Sequence, residues 1–219
     1  EFEKEKVIWG LISGHWNFSL DTNNNYLTSA SYFLTSSEIP NRFILGLLNS
    51  KLNKFYFENV GEMTAGGAYV LKKVSVEKFI IPKTSEIQQT NFCKKVKQIE
   101  KQTSSLETLQ NNFISLLSSK FSLNKMSNKL IQWNYYDFST FTKELDKVRK
   151  KTAKENETEY NKLSLSEEAE WMQYFNEQKQ KAEELKAEID KTDKEIDQMV
   201  YELYGLTEEE INIVEEATA

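Results

Sequence analysis

The stretch SEIQQTNFCKKVKQIEKQTSSLETLQNNFISLLSSKF, Ser85–Phe121, decides how the chain is organised. Ser85 with Gln88 three residues on has the form of a capping box, and Pro82 closes what precedes it. Val96, Ile99, Leu106, Phe113 and Leu117, with Thr103 and Gln110 in the gaps, step alternately by three and four, a heptad seam. Neither Pro nor Gly interrupts it. The spacing predicts one helix of roughly 55 Å at ~1.5 Å per residue, which needs a partner to cover its apolar stripe. A second seam runs through Trp171, Phe175, Gln178, Ala182, Leu185, Ile189, Thr192, Ile196, Met199 and Leu203. Ser164 with Glu167 caps its start and Gly205 marks its end. The two helices are expected to pair antiparallel through their seams, with Val96, Ile99, Leu106, Leu185, Ile189 and Ile196 buried together.

Charge supports that pairing. Residues 1–82 carry 8 Lys/Arg and 8 Asp/Glu, net 0; residues 83–151 carry 13 and 6, net +7; residues 152–219 carry 7 and 20, net −13. The whole, at 219 residues, 39% hydrophobic and 28% charged, has room for one large domain or two small ones. The longest apolar run, Phe43–Leu48, is far short of the ~20 residues of a membrane span. The single cysteine, Cys93, excludes an internal disulfide framework and any cysteine-rich zinc site. A cytoplasmic location is expected. With no initiating Met, the chain reads as part of a longer protein.

Upstream of the long helix the pattern is mixed. Val7-Ile8-Trp9, Ser31-Tyr32-Phe33-Leu34, Tyr69-Val70-Leu71 and the shorter His15-Trp16-Asn17-Phe18 read as strands. Pro40 opens a helix whose face carries Phe43, Ile44, Leu47, Leu48, Leu52 and Phe55. Downstream, Trp133, Tyr135, Tyr136 and Phe138 form an aromatic knot, Phe141–Lys151 a short helix, and Thr207 with Glu210 caps a last one. The fold class expected is α+β: a small mixed α/β domain at 1–83, then long antiparallel helices over 84–219 as a coiled-coil-like spacer.

Catalytic signatures are missing. The two prolines, Pro40 and Pro82, cannot form an Asn-Pro-Pro-aromatic methyltransferase motif, and no Gly-x-Gly or Gly-Lys-Ser/Thr phosphate loop occurs. Glu184-Leu185-Lys186 has only the tail of a Pro-Asp/Glu-x-Lys nuclease pattern. His15 is the sole histidine, so no His-based zinc site or His-activated nucleophile is evident. The residues point to binding, positioning or assembly rather than covalent chemistry.

Two stretches carry a family resemblance. Phe43–Leu52, with its Leu48-Asn49-Ser50-Lys51, followed after a Gly-bearing loop by Val76–Pro82, resembles target recognition domains of restriction–modification systems, both TaqI-like specificity domains and type I specificity subunits. Ile196–Ile211, continuing to Val214-Glu215, is similar to the C-terminal end of type IIG-like enzymes, which join nuclease, adenine methyltransferase and specificity region in one polypeptide. The resemblance implies sequence-specific recognition of double-stranded DNA for an upstream methyltransferase and nuclease. S-adenosylmethionine and Mg are then expected in those upstream domains, and no cofactor in this region. Base reading is expected from polar loops at 13–25 and 62–69. The candidates are His15, Asn23, Asn24, Asn25, Thr64, Gly66, Gly67 and Tyr69, with Lys51, Lys54, Lys72 and Lys73 on phosphates. A coiled-coil assembly or adaptor module without DNA binding is the competing expectation.

Overall fold

The computed structural model describes residues 3–218. The fold is α+β, 62% helical. It divides into two compact units: residues up to Ile99 with those from Lys191 onward, and Glu100–Asp190.

The first unit is built on three antiparallel strands in the order β3-β1-β4: β1 (Lys6–Gly10), β3 (Ser19–Asp21) and β4 (Ser31–Leu34). Register puts Lys6 opposite Asp21 and Trp9 opposite Tyr32. A separate two-stranded ribbon pairs β2 (Ile12–Ser13) with β5 (Tyr69–Val70). His15-Trp16-Asn17-Phe18, expected as a strand, is a loop; the pairing falls on Ser19–Asp21 instead. Alternation alone could not choose between these neighbouring segments, because Trp16 and Phe18 face the core as loop residues. Trp16 donates from Nε1 to the Leu48 carbonyl at 2.8 Å, and Phe18 is buried.

The helix expected after Pro40 is two helices, α1 (Asn41–Asn49) and α2 (Lys51–Val60). Ser50 breaks them. It is extended, its Oγ accepts from the Asn53 amide to cap α2, and it donates back to the Leu47 carbonyl at 2.6 Å. The short α3 (Lys73–Val76) follows β5. Residues 43–48 of α1 are all buried, a turn and a half of helix covered on every side. One side meets the sheet. The other meets the long helix α4 (Glu86–Phe121) at Gly46, where a Cβ would lie 2.4 Å from the Phe92 ring. Glycine here permits a helix–helix approach that no larger residue allows.

The second long helix is α7 (Leu165–Tyr204), and α8 (Glu208–Ala217) ends the chain's helices. All three capping boxes expected, Ser85/Gln88, Ser164/Glu167 and Thr207/Glu210, are formed. Within the first unit α4 and α7 run antiparallel: Lys95 pairs with Glu195 at 2.6 Å and Gln98 bonds Thr192. Phe92, Val96, Ile196 and Val200 join the same core as α1 and β1.

In the second unit the antiparallel order recurs, with Phe113 against Phe175 and Phe121 against Trp171. A third layer comes from α5 (Asn128–Ile131) and α6 (Phe138–Glu155), the latter longer at both ends than Phe141–Lys151. Asp137 starts α6 early by accepting the Thr140 amide at 2.6 Å, a cap that also holds its carboxyl below the usual range. Trp133 is fully buried and stacks on Phe113 with centroids 4.0 Å apart. Ile99, Leu106, Leu185 and Ile189, expected to be buried, are only half-covered, and Thr103 is exposed.

Candidate nucleic-acid interface

The β2–β5 ribbon brings two sequence-distant loops together. Ser13 lies opposite Tyr69, and Met63 bridges to Tyr69 from the other side. The ribbon is tied to the core by the Leu71 amide bonding the Leu11 carbonyl at 2.8 Å and by Trp9 Nε1 donating to the Leu71 carbonyl at 3.0 Å. Past Ser13 the chain turns tightly. Ser13 Oγ donates to the His15 carbonyl at 2.6 Å, leaving the His15 ring exposed. Trp16 then tucks under the ribbon, edge-on to Tyr69 at 5.3 Å.

The facing turn is held by its own threonine. The Thr64 amide donates to the Ala68 carbonyl at 2.8 Å, and Thr64 Oγ1 accepts the Ala68 amide at 3.0 Å. Gly67 has φ +79°, the left-handed region, which the turn requires and glycine adopts without strain. Gly66 and Gly67 are exposed, so nothing but backbone stands at the tip. Lys72 follows and pairs with Glu62 at 2.6 Å across the open surface; Lys73 pairs with Glu77 at 3.5 Å. Both lysines are solvent-facing, and such pairs exchange readily for a phosphate.

Tyr69 lies beneath this surface. It is buried, its hydroxyl donates to Glu58 at 2.6 Å, and burial with that bond pushes its pKa up to about 12. Lys54 sits 3.9 Å from the same Glu58. His15, Thr64, Gly66, Gly67 and Tyr69 therefore share one place, with Lys72 and Lys73 following β5 and Lys54 behind it.

Asn23, Asn24 and Asn25 lie elsewhere. Asp21 ends β3 opposite Lys6, at the other end of β1 from the ribbon, ~13 Å away along the strand. Asp21 accepts the Asn23 and Asn25 amides, both at 2.9 Å, and the Asn25 Nδ2 at 3.0 Å. It also pairs with Lys6 at 2.6 Å, both side chains essentially buried, and that bond holds the Asp21 carboxyl low. Asn24 has φ +57°. The loop is an Asx turn that engages the Asn25 side chain but not those of Asn23 and Asn24.

Lys51 belongs to a third location, which the sequence reading did not see as a unit. The Asn49 side chain clamps the Phe18 backbone twice, accepting its amide at 2.8 Å and donating to its carbonyl at 2.9 Å. The Lys51 amide, at the first turn of α2, donates to Asp197 at 2.9 Å, and Lys51 Nζ reaches Glu215 of α8 at 2.5 Å. Tyr201 donates to the same Glu215 at 2.7 Å. Burial pushes the Asp197 carboxyl up to about 7, against the Lys51 bond. Glu215 is held low: burial pushes it up, and the bonds from Lys51 and Tyr201 more than offset this. Tyr204 donates to the Ile80 carbonyl. The Leu-Asn-Ser-Lys stretch, the Ile-Ile-Pro exit and the Ile196–Glu215 tail are thus three parts of one dock. The signal was present, since all three stretches were singled out as motifs, but only the structure shows that they touch.

Among the described residues no three His, Cys, Asp or Glu side chains are grouped to hold a metal ion, and no helix is long and apolar enough to cross a membrane. No curated protein and no solved structure matches the chain. Residues 1–81 match the TaqI-like C-terminal specificity domain, which bears out the resemblance to a specificity domain of restriction–modification enzymes and supports a role in DNA recognition. Residues 85–200, just over half of the chain, match the family described as Domain of unknown function (DUF8810), and to that family the chain belongs.

Proposed function

We propose that the chain reads a specific duplex DNA sequence on behalf of a type IIG-like restriction–modification enzyme. The observation that carries this is the β2–β5 ribbon, which sets the exposed His15 loop against the glycine-tipped Thr64–Gly67 turn within the match to a specificity domain. His15 supplies a base-edge contact and the bare Gly66-Gly67 backbone a close approach to the groove. Lys72 and Lys73 take phosphates, with Lys54 behind them. Tyr69 acts here as the support of the reading turn. Asn23 and Asn24 offer a second, separate contact, and Lys51 acts through the dock.

The helical part, 84–219, serves as a spacer for upstream methyltransferase and nuclease domains, which bind S-adenosylmethionine and Mg in the cytoplasm. A spacer sets how far the bases read lie from the base flipped for methylation.

The test is selection of duplexes by the full chain from a random pool, repeated with two variants. Lys72→Ala should weaken all duplexes alike and lower the salt slope by about 1. His15→Ala should change which sequences are selected. A folded chain that selects no duplex rejects the reading in favour of an assembly module.

A further inference from the structure

The second unit carries a charged surface that the base-reading face does not explain. In α6 the core-facing positions Phe141, Leu145 and Thr152, which are buried, and Val148, which is half-buried, step by four, three and four. Lys143, Lys147, Lys150 and Lys154 repeat that step two residues later. Two residues turn a helix by about 200°, so the lysines stand on the side opposite the core. All four are exposed, Lys147 to 77%.

The acids of α6 do not interrupt this ridge. Glu144, Asp146 and Glu155 occupy its flanks, at other angles of the turn. Glu144 is 3.7 Å from Lys147 but largely covered, Asp146 goes to Arg149 at 3.5 Å, and Glu155 lies 3.9 Å from Lys151. Among the described residues Lys143, Lys150 and Lys154 make no ion pair; Lys150 lies over the Tyr160 ring at 5.3 Å. A single-sign basic ridge on a chain of net charge −6 does not follow from solubility, which mixed or acidic charge already provides.

We propose that Lys143, Lys147, Lys150 and Lys154 form a sequence-independent phosphate-binding ridge for duplex DNA. This rests on the reading that the chain acts on duplex DNA. The ridge runs ~16 Å along the helix, a length over which one strand presents roughly five phosphates. Residues 1–82 have net charge 0, so beyond the few phosphate contacts of Lys72, Lys73 and Lys54 the specificity domain brings no excess cation, and further counterion release has to come from other surfaces. Complementarity to a polyanion singles out the nucleic acid backbone over an acidic protein patch, because the ridge has no apolar side chain at its centre for a protein partner to bury.

The experiment measures affinity of the full chain for selected and for random duplexes over a salt series. The variant changes all four lysines to alanine, the best helix former, and a companion changes them to arginine. The alanine variant should bind both duplex classes about 10–100-fold more weakly, keep the same sequence preference, and lose about 2–4 from the slope of log K against log salt. The arginine variant should bind as the parent does. A folded alanine variant with the parent's affinity and slope overturns the ridge alone. A parent that binds no duplex at any salt overturns both the ridge and the DNA reading.

Discussion

Two stretches of α7 carry the same heptad seam and end up differently buried. From Thr192 to Val200 the core side of the helix is covered, with Thr192 at 2% exposure, Ile196 at 5% and, beside the half-covered seam residue Met199, Val200 at 0%. Leu185 and Ile189, a turn or two earlier, are half-open. The sequence repeats are equally regular, so regularity is not what decides. Two helices side by side bury only the line of contact and leave its flanks to water. Closure needs a third element. In the first unit that element is α1, whose Gly46 admits Phe92 and Val96. Around Phe113 and Phe175 in the second unit it is α6 with Trp133. Among the described residues Leu185 and Ile189 belong to neither buried cluster.

That contrast can be broken experimentally. Ile196→Asp should cost about 4 kcal/mol or more in chemical denaturation, because it places an unpaired charge in a closed three-layer core. Asp197 sharpens the point through pH. Its folded pKa of about 7 lies above the ordinary 3.8, so the native state holds a proton that the unfolded chain has released. Stability is therefore lost as pH rises from about 4 to 7. Asp197→Asn keeps an oxygen for the Lys51 amide and removes the titration. Its stability should pull ahead of the parent's across that window, by on the order of 2–4 kcal/mol at pH 8. Parallel pH curves for the two proteins would show that Asp197 is not closed off from water. Ile189→Asp, at a half-open seam position, should cost only about 1–2 kcal/mol. Equal losses at Ile189 and Ile196 would remove the distinction.

What the sequence made legible was local. The capping boxes, the seams and the termination at Gly205 each depend on residues within a turn or two of one another. The break at Ser50 was hidden because apolar residues run on both sides of it, and its cap is one hydroxyl. The strand at Ser19–Asp21 was hidden because its identity lies in its pairing with Lys6–Ile8. For the candidate interface, composition picked out polar loops, but adjacency depends on the Ser13–Tyr69 register, which no local pattern encodes. Hence the His15 and Thr64–Gly67 loops converge while the asparagine triplet sits apart. Lys51 looked like any surface lysine because its partners are 146 and 164 residues away.

The dock at Asn49, Ser50 and Lys51 bears on engineering. A specificity module is an attractive cassette, and residues 1–81 look like a natural cut. Yet Asp197, Tyr201 and Glu215 belong to the same compact unit as that cassette. A transplanted module that lacks the lysine at the start of α2 strands Glu215 without its cation, and one whose α2 begins a residue off register takes the amide away from Asp197. A working chimaera therefore has to be spliced twice, carrying the tail from Lys191 onward with the head, so that both halves of the lock come from one parent.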